Sequence, residues 1–98
     1  MGIAELEIEH RDRVTHGDYV AKLHGSNSAA RLSWTDHDGV RHAEHTYVPP
    51  EFRGKGIAEQ LVQAMVADAR RQDFKIAPDC SYVETYFRRN KDLADLRA

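Results

Sequence analysis

Apolar and polar positions alternate along the first half of the chain and then change period. Leu6 and Ile8 alternate with Glu5, Glu7 and Glu9, which predicts a half-buried strand with one solvated face. Tyr19, Ala21 and Leu23 alternate with Val20, Lys22 and His24 and predict a second strand. Ala30, Leu32 and Trp34 mark a third over residues 29–35, and residues 40–48 form a fourth. Thr15-His16-Gly17-Asp18 and Gly25-Ser26-Asn27-Ser28 read as the intervening turns. Asp38-Gly39 is a hairpin signal, because both residues tolerate positive φ. Pro49-Pro50 ends the fourth strand, since neither ring can donate to a ladder.

Helical spacing follows. Ile57, Ala58, Leu61, Val62, Met65, Val66 and Ala69 make one apolar stripe and predict a helix over residues 56–72. Residues 74–77 form a short strand stopped by Pro78. Tyr82, Val83, Tyr86 and Phe87 predict a second helix over 81–89, with a last turn through Leu93 and Leu96. The expected fold class is α+β: a four-strand antiparallel meander, then α-β-α. The fifth strand follows a crossover helix, so it should run parallel to the fourth. Helices should cover one face of the sheet.

The chain has 98 residues, 14 basic and 16 acidic, for a formal charge of −2. Residues 1–98 are expected to form one minimal domain. The mild acidity weighs against nucleic acid as partner. No apolar run approaches a membrane span, and the N-terminal residues lack the pattern of a signal peptide or a myristoylation site. Cys80 is the only cysteine, so no internal disulfide forms and a cytoplasmic location is expected. All six histidines lie before residue 50, where acidic residues outnumber basic ones. The second half carries a slight basic surplus and is the better home for an anion.

The sharpest chemistry sits between the fourth strand and the first helix, in Thr46-Tyr47-Val48-Pro49-Pro50-Glu51-Phe52-Arg53-Gly54-Lys55-Gly56-Ile57-Ala58. A helix N-terminus leaves several N–H groups unpaired and carries the positive end of the macrodipole. Glycines let an anion approach that backbone, and no Ser, Thr, Asp or Asn stands just before the helix to cap it. Arg53 and Lys55 are unfavourable beside a helix N-terminus unless an anion joins them. The spacing is neither a Walker loop nor the dinucleotide fingerprint. A bare glycine turn that starts a helix is the plain alternative.

Arg53-x-x-Gly56-x-Ala58 after a strand closing in Val48-Pro49 resembles motif A of the GCN5-related N-acetyltransferases. Residues 45–58 are similar to the small single-domain members of that family. So are Pro78-Asp79-Cys80-Ser81-Tyr82-Val83, Tyr86-Phe87 and Arg89-Asn90. The resemblance implies a sheet splayed between its fourth and fifth strands around acetyl-CoA. It implies that Arg53, Gly54, Lys55, Gly56, Ile57 and Ala58 hold the coenzyme A pyrophosphate. Tyr47 and Val48 would pair with pantetheine and offer an N–H to the thioester carbonyl. Ser81 and Tyr82 would complete the cofactor-binding set, with Cys80 beside the thioester. Two features depart from the pattern: Lys91 stands where members often carry Pro, and the chain is shorter than ordinary family enzymes.

The expected catalytic residues are Cys80, His45 and Glu44. Cys80 would act as nucleophile or acid, or be a buried, inert thiol; no cation neighbours it in sequence, and Asp79 would raise its pKa if anything. The resemblance implies a general base on the strand that leads into the loop, which makes Glu44 and His45 the candidates; His45 matches the small members' His-Thr pair better, and imidazole suits proton abstraction near neutrality. Strand alternation should send them to opposite faces, so that only one reaches the cleft. His42 and His45 should likewise point apart, and with His37 they give no expected metal site. Tyr82 and Tyr86 have the spacing of core residues, with a role as acid the alternative. Arg88, Arg89 and Lys91 fit a solvated charged face, or attraction for the 3′-phosphate. Trp34 reads as core.

The resemblance thus implies acetyl transfer from acetyl-CoA to an unknown amine acceptor, by a monomer or weak homodimer. A non-catalytic coenzyme A-binding or protein-interaction module is the alternative.

Overall fold

The computed structural model describes residues 6–23 and 28–98. Its strands are β1 (Ile8–Asp12), β2 (His16–Lys22), β3 (Ala29–His37), β4 (Val40–Tyr47) and β5 (Lys75–Ala77). The helices are α1 (Ile57–Gln72) and α2 (Ser81–Arg89), with 3₁₀ turns at Pro50–Phe52 and Lys91–Leu96. The strands lie in chain order in one sheet. β1 to β4 pair antiparallel, and β5 pairs parallel to β4 through Val40/Lys75, Arg41/Ile76 and His42/Ala77. This is the α+β layout expected from the sequence.

One face of the sheet carries Tyr19, Ala21, Leu32, Trp34 and Ala43, all buried. Ile57, Leu61, Val62, Met65 and Ala69 of α1 and Val83 and Phe87 of α2 close over them in one core. Leu93 and Leu96 of the last turn join it. The α1 C-terminus follows its sequence: Arg70 and Arg71 favour the dipole there, and Asp73 turns left-handed at φ 58° with its N–H on the Ala69 carbonyl. The Asp38-Gly39 turn has positive φ at both residues, 52° and 77°, as that hairpin requires.

Three expectations are corrected. The first strand begins at Ile8 and runs on to Asp12, beyond the Leu6–Ile8 alternation; Glu5 lies outside the described residues, as do His24 and most of the second turn. His16, Gly17 and Asp18 belong to β2, and the turn lies at Arg13, Val14 and Thr15 instead. Gly17 serves packing: a Cβ there would come 2.0 Å from the Arg11 carbonyl oxygen and 2.6 Å from the Trp34 ring. Its absent side chain is what lets the indole lie against β2.

The third correction concerns β4. Ser33 pairs with His45 but Trp34 pairs with Ala43, so Glu44 is an extra residue and β4 carries a bulge. The alternation of faces slips there. Glu44 bonds Thr35 Oγ1 at 3.1 Å, and His45 lies opposite Ser33, both on the face away from the helices. His42, paired with Thr35, shares that face. The expected opposition of Glu44 to His45, and of His42 to His45, is therefore lost.

Candidate active site

Past the His42/Ala77 pair the sheet opens. Pro78 ends β5, and the chain bends so that the Cys80 N–H reaches the Ala43 carbonyl at 2.8 Å. Cys80 then stands as the N-cap of α2, and its carbonyl accepts the Glu84 N–H at 2.9 Å. β4 continues to Tyr47 without a partner strand on this side. The gap becomes a cleft of about 420 Å³ running from the end of β4 to the start of α1, a size that suits a small-molecule site.

The loop into α1 shapes its far wall. Pro49 is buried and Pro50 opens a 3₁₀ turn. Arg53 Nε donates to the Val48 carbonyl at 3.0 Å, folding the loop back on the strand end. Gly54 and Gly56 have φ of 79° and 78°, a left-handed backbone open to glycine at little cost. A Cβ at either would meet nothing within 4 Å, so the space over this backbone is open. Gly56 caps α1 without any side-chain hydrogen bond. The first turn of α1 thus faces an open cradle with the positive end of a sixteen-residue helix behind it. A diphosphate fits this cradle in charge and in room.

Of the expected cofactor-binding residues, Tyr47, Val48, Arg53 and Gly54 line the cleft. Gly56, Ile57, Ala58 and Tyr82 line it too. Lys55 and Ser81 are exposed and lie outside the lining. Thr46 and Phe52 line it without having been expected; both stand inside the strand-to-helix segment, where only the strand end and the glycine loop drew attention. Tyr82 departs from the expected core role: it is 39% exposed and forms one wall. Burial, with the charges of Glu59 and Tyr86, pushes its phenol above the ordinary value against the pull of Arg89, so it remains a donor. Tyr86 is half-buried and packs against the core. Arg89 borders a smaller hollow beyond Tyr82, while Arg88 pairs loosely with Glu84. Lys91 leaves the end of α2 intact, because the Asn90 amide caps it by donating to the Tyr86 carbonyl at 2.8 Å.

Cys80 is half-buried and does not itself line the cleft; its Sγ lies 3.4 Å from the Oγ1 of Thr46, which does. Burial alone would push the thiol up. The Thr46 hydroxyl and the backbone N–H groups of Val83, Tyr82 and Thr46 outweigh it, and the pKa falls below the ordinary thiol value. Thr46 and the N-terminus of α2 together supply what the sequence showed no cation to supply. Asp79 does not oppose this, because its carboxylate turns to His42 Nδ1 at 2.8 Å. Alkylation of Cys80 by iodoacetamide is therefore expected to reach half its maximal rate below the pH typical of a free thiol. Thr46→Val should move that midpoint upward, since thiolate loses a donor. An unmoved midpoint would show that Thr46 does not stabilise the thiolate.

Glu44 and His45 do not line the cleft; they sit beside it on the other face of the sheet. Among the described residues no group of three or more His, Cys, Asp or Glu side chains is placed to hold a metal ion. No described helix is long and apolar enough to cross a membrane.

With this geometry in view, residues 18–96 match the family profile described as GCN5-related N-acetyl-transferase. The chain belongs to that family. Similar proteins include Protein NATD1 of Gallus gallus, 31% identical over 87% of this chain and 76% of the relative. Protein NATD1 of Homo sapiens is 30% identical over 87% of this chain and 74% of its own length. The Xenopus tropicalis protein of that name is 30% identical over 89% and 79%. The match to the family takes in the open strand pair, the glycine loop and both helices.

Proposed function

We propose that this chain is an acetyl-CoA-dependent acetyltransferase that passes an acetyl group to an amine, acting as one domain over residues 1–98. The observation that carries the reading is the open, uncapped backbone cradle at Gly54 and Gly56, continuous with a cleft along an unpaired strand end. Acetyl-CoA brings the activated acetyl group as a thioester. The backbone from Arg53 to Ala58, with Arg53 and Lys55 adding charge, would bind the pyrophosphate. The free edge of β4 at Tyr47 and Val48 would hold the pantetheine arm by ladder hydrogen bonds, and one of its N–H groups would face the carbonyl oxygen as charge develops there. Binding energy from the remote diphosphate would orient the reacting carbon. Tyr82 lines the α2 end of the cleft, where the sulfur would lie, and Ser81, outside the lining, would meet the cofactor only at its edge. Cys80 would either take the acetyl group or support direct attack by the amine. Glu44 and His45 would act from the opposite face of the sheet.

The position of Glu44 and His45 outside the cleft favours a second reading, a coenzyme A-binding module without turnover. An amide NMR titration with acetyl-CoA, joined to intact mass and an amine screen, tests both. Shifts clustered over residues 46–61 and 80–82 are expected, with acetylated amine in the screen. Clustered shifts without product would favour the module. No shifts at millimolar acetyl-CoA would remove both readings. A stable acetyl adduct on Cys80 would select the covalent route.

A further inference from the structure

β1 is an edge strand, and among the described residues no strand pairs with its outer side. Such an edge offers a row of backbone donors and acceptors. The Arg13 N–H reaches the His16 carbonyl at 2.8 Å, in step with the β1–β2 ladder. Antiparallel alternation then turns the backbone groups of Arg11 and Glu9 toward β2, and those of Ile8, His10 and Asp12 outward. Leu6 keeps this phase: its N–H goes to Gln60 Oε1 on α1, at 2.8 Å, rather than to β2.

Apolar groups stand at both ends of the strand. α1 packs over β2 and β3 and leaves β1 mostly exposed. Leu6 and Ile8 face the small side chains of Ala64 and Ala67 across a groove of about 410 Å³. Beyond the other end, Val14 is 82% exposed and takes no part in the core. Its φ is 77°, a backbone that a β-branched residue adopts only under strain.

Charge selects how this edge can meet a copy of itself. Glu9 and Arg11 stand on the face away from the helices, opposite Val20 and Asp18, and pair with each other at 2.9 Å. Consider two copies of β1 meeting antiparallel about a two-fold axis. Centred on Glu9 or on Arg11, that residue faces its own copy. Centred on Ile8, Glu7 faces Glu9; centred on Asp12, Arg11 faces Arg13. Each of these sets like charges directly opposite, which destabilises a ladder. Centred on His10, Glu9 faces Arg11 on both sides of the axis. The outward backbone groups of Ile8 and Asp12 then meet each other, and those of His10 meet their copies. Leu6 and Val14 are equidistant from His10, so each Val14 comes to the Leu6 end of the other copy's groove. The His10 ring stays with its own chain, 3.0 Å from Asp68 and edge-on to Tyr19.

We infer that the chain forms a two-fold dimer through β1, centred on His10, which joins two five-stranded sheets into one. The occupant of the edge is a second copy because charge, backbone phase and apolar ends are complementary to themselves in one register. The cofactor cleft lies at the β4–β5 side of the sheet and stays open, so the dimer does not depend on the acetyltransferase reading.

Sedimentation of the whole chain from micromolar to millimolar concentration tests this. The wild type should rise to twice the 11.2 kDa of one chain. Glu9→Arg and Arg11→Glu should each stay at the single-chain mass, because each sets like charges across the axis. An equimolar mixture of the two should recover the doubled mass, since a strand with two cations then faces one with two carboxylates. Neither chain in that mixture regains its internal pair, so recovery reads only the contact between copies. Val14→Gly relaxes the left-handed backbone and should fold at least as well, yet weaken association about tenfold or more by withdrawing an apolar side chain from each groove. A wild type that stays at the single-chain mass up to millimolar concentration overturns the proposal. So does a dimer that survives both charge reversals, or a mixture that stays monomeric, because the contact then lies elsewhere or in another register. Undiminished association of Val14→Gly overturns the docking of the valine in the groove.

Discussion

Arg41→Ala is expected to cost about 3–5 kcal/mol, the usual result of removing one partner from a buried charged network. Arg41 is 4% exposed, on the core face of β4. Its guanidinium donates two bonds to the Asp36 carboxylate, at 2.8 and 3.1 Å, and a third to the Tyr19 hydroxyl at 2.9 Å. Tyr19 donates in turn to Asp68 at 2.9 Å, and Asp68 also meets His10 and Arg71. The planar cation lies 3.5 Å from the Trp34 ring centroid and 4.2 Å from that of Phe74. Asp36 and Tyr19 hold the guanidinium charged against the cost of its burial.

Removing it strips Asp36 of its fork, Tyr19 of a donor and two rings of a packed neighbour. For a chain of this length the loss corresponds to a melting temperature lower by roughly 15–30 °C. Urea unfolding followed by Trp34 fluorescence would measure it directly. Arg41→Lys should recover less than half, because an ammonium keeps the charge but loses the fork and the stacking. Tyr19→Phe should cost only about 1–2 kcal/mol, since Arg41 and Asp68 each keep another partner. An Arg41→Ala loss under 1 kcal/mol would mean that the network contributes nothing net and that hydrophobic packing alone fixes the end of the sheet.

This network also marks the limit of what the sequence discloses. Asp68 lies on the apolar stripe of α1, where periodicity alone would place a hydrophobe. Its partners Tyr19 and His10 are 49 and 58 residues away, and no local pattern announces such a meeting. Gly17 misleads for a related reason. A glycine needed for room beside an indole looks, in sequence, the same as one needed for a turn. The bulge at Glu44 is a register event between two strands, and neither strand carries it alone. Local rules did reach other features. The ends of α1 and α2, the Asp38-Gly39 hairpin and the parallel fifth strand all follow from neighbouring residues and chain connectivity. The glycine cradle was legible because its chemistry is backbone chemistry, set by Gly54, Gly56 and the helix behind them. The thiol was not, because its stabilising donors are the Thr46 hydroxyl and N–H, 34 residues away on β4, and N–H groups that are free to point at it only once α2 has formed at Cys80.

The cradle supplies the second large effect. Gly56→Asp is expected to weaken acetyl-CoA binding by about 100-fold or more while leaving the fold near its original stability. Gly56 adopts φ 78° and ψ 14°, a conformation that Asp tolerates better than any β-branched residue. A Cβ there meets nothing within 4 Å, so no clash is introduced. The strain of the left-handed backbone, about 1–2 kcal/mol, is offset in part by a carboxylate at the positive end of α1, worth about 0.3–1 kcal/mol. The same carboxylate occupies the space proposed for the diphosphate. Two like charges about 5 Å apart at an effective dielectric near 20 repel by roughly 3 kcal/mol, which is about a hundredfold in affinity. Gly56→Asn separates charge from shape: it keeps the size and the tolerance of that backbone but should lose far less affinity. Calorimetric titration of both variants with acetyl-CoA, beside their urea midpoints, makes the comparison. Equal affinity in Gly56→Asp and wild type would show that the anion does not sit at this helix end, and the glycines would then be no more than the hinge that starts α1.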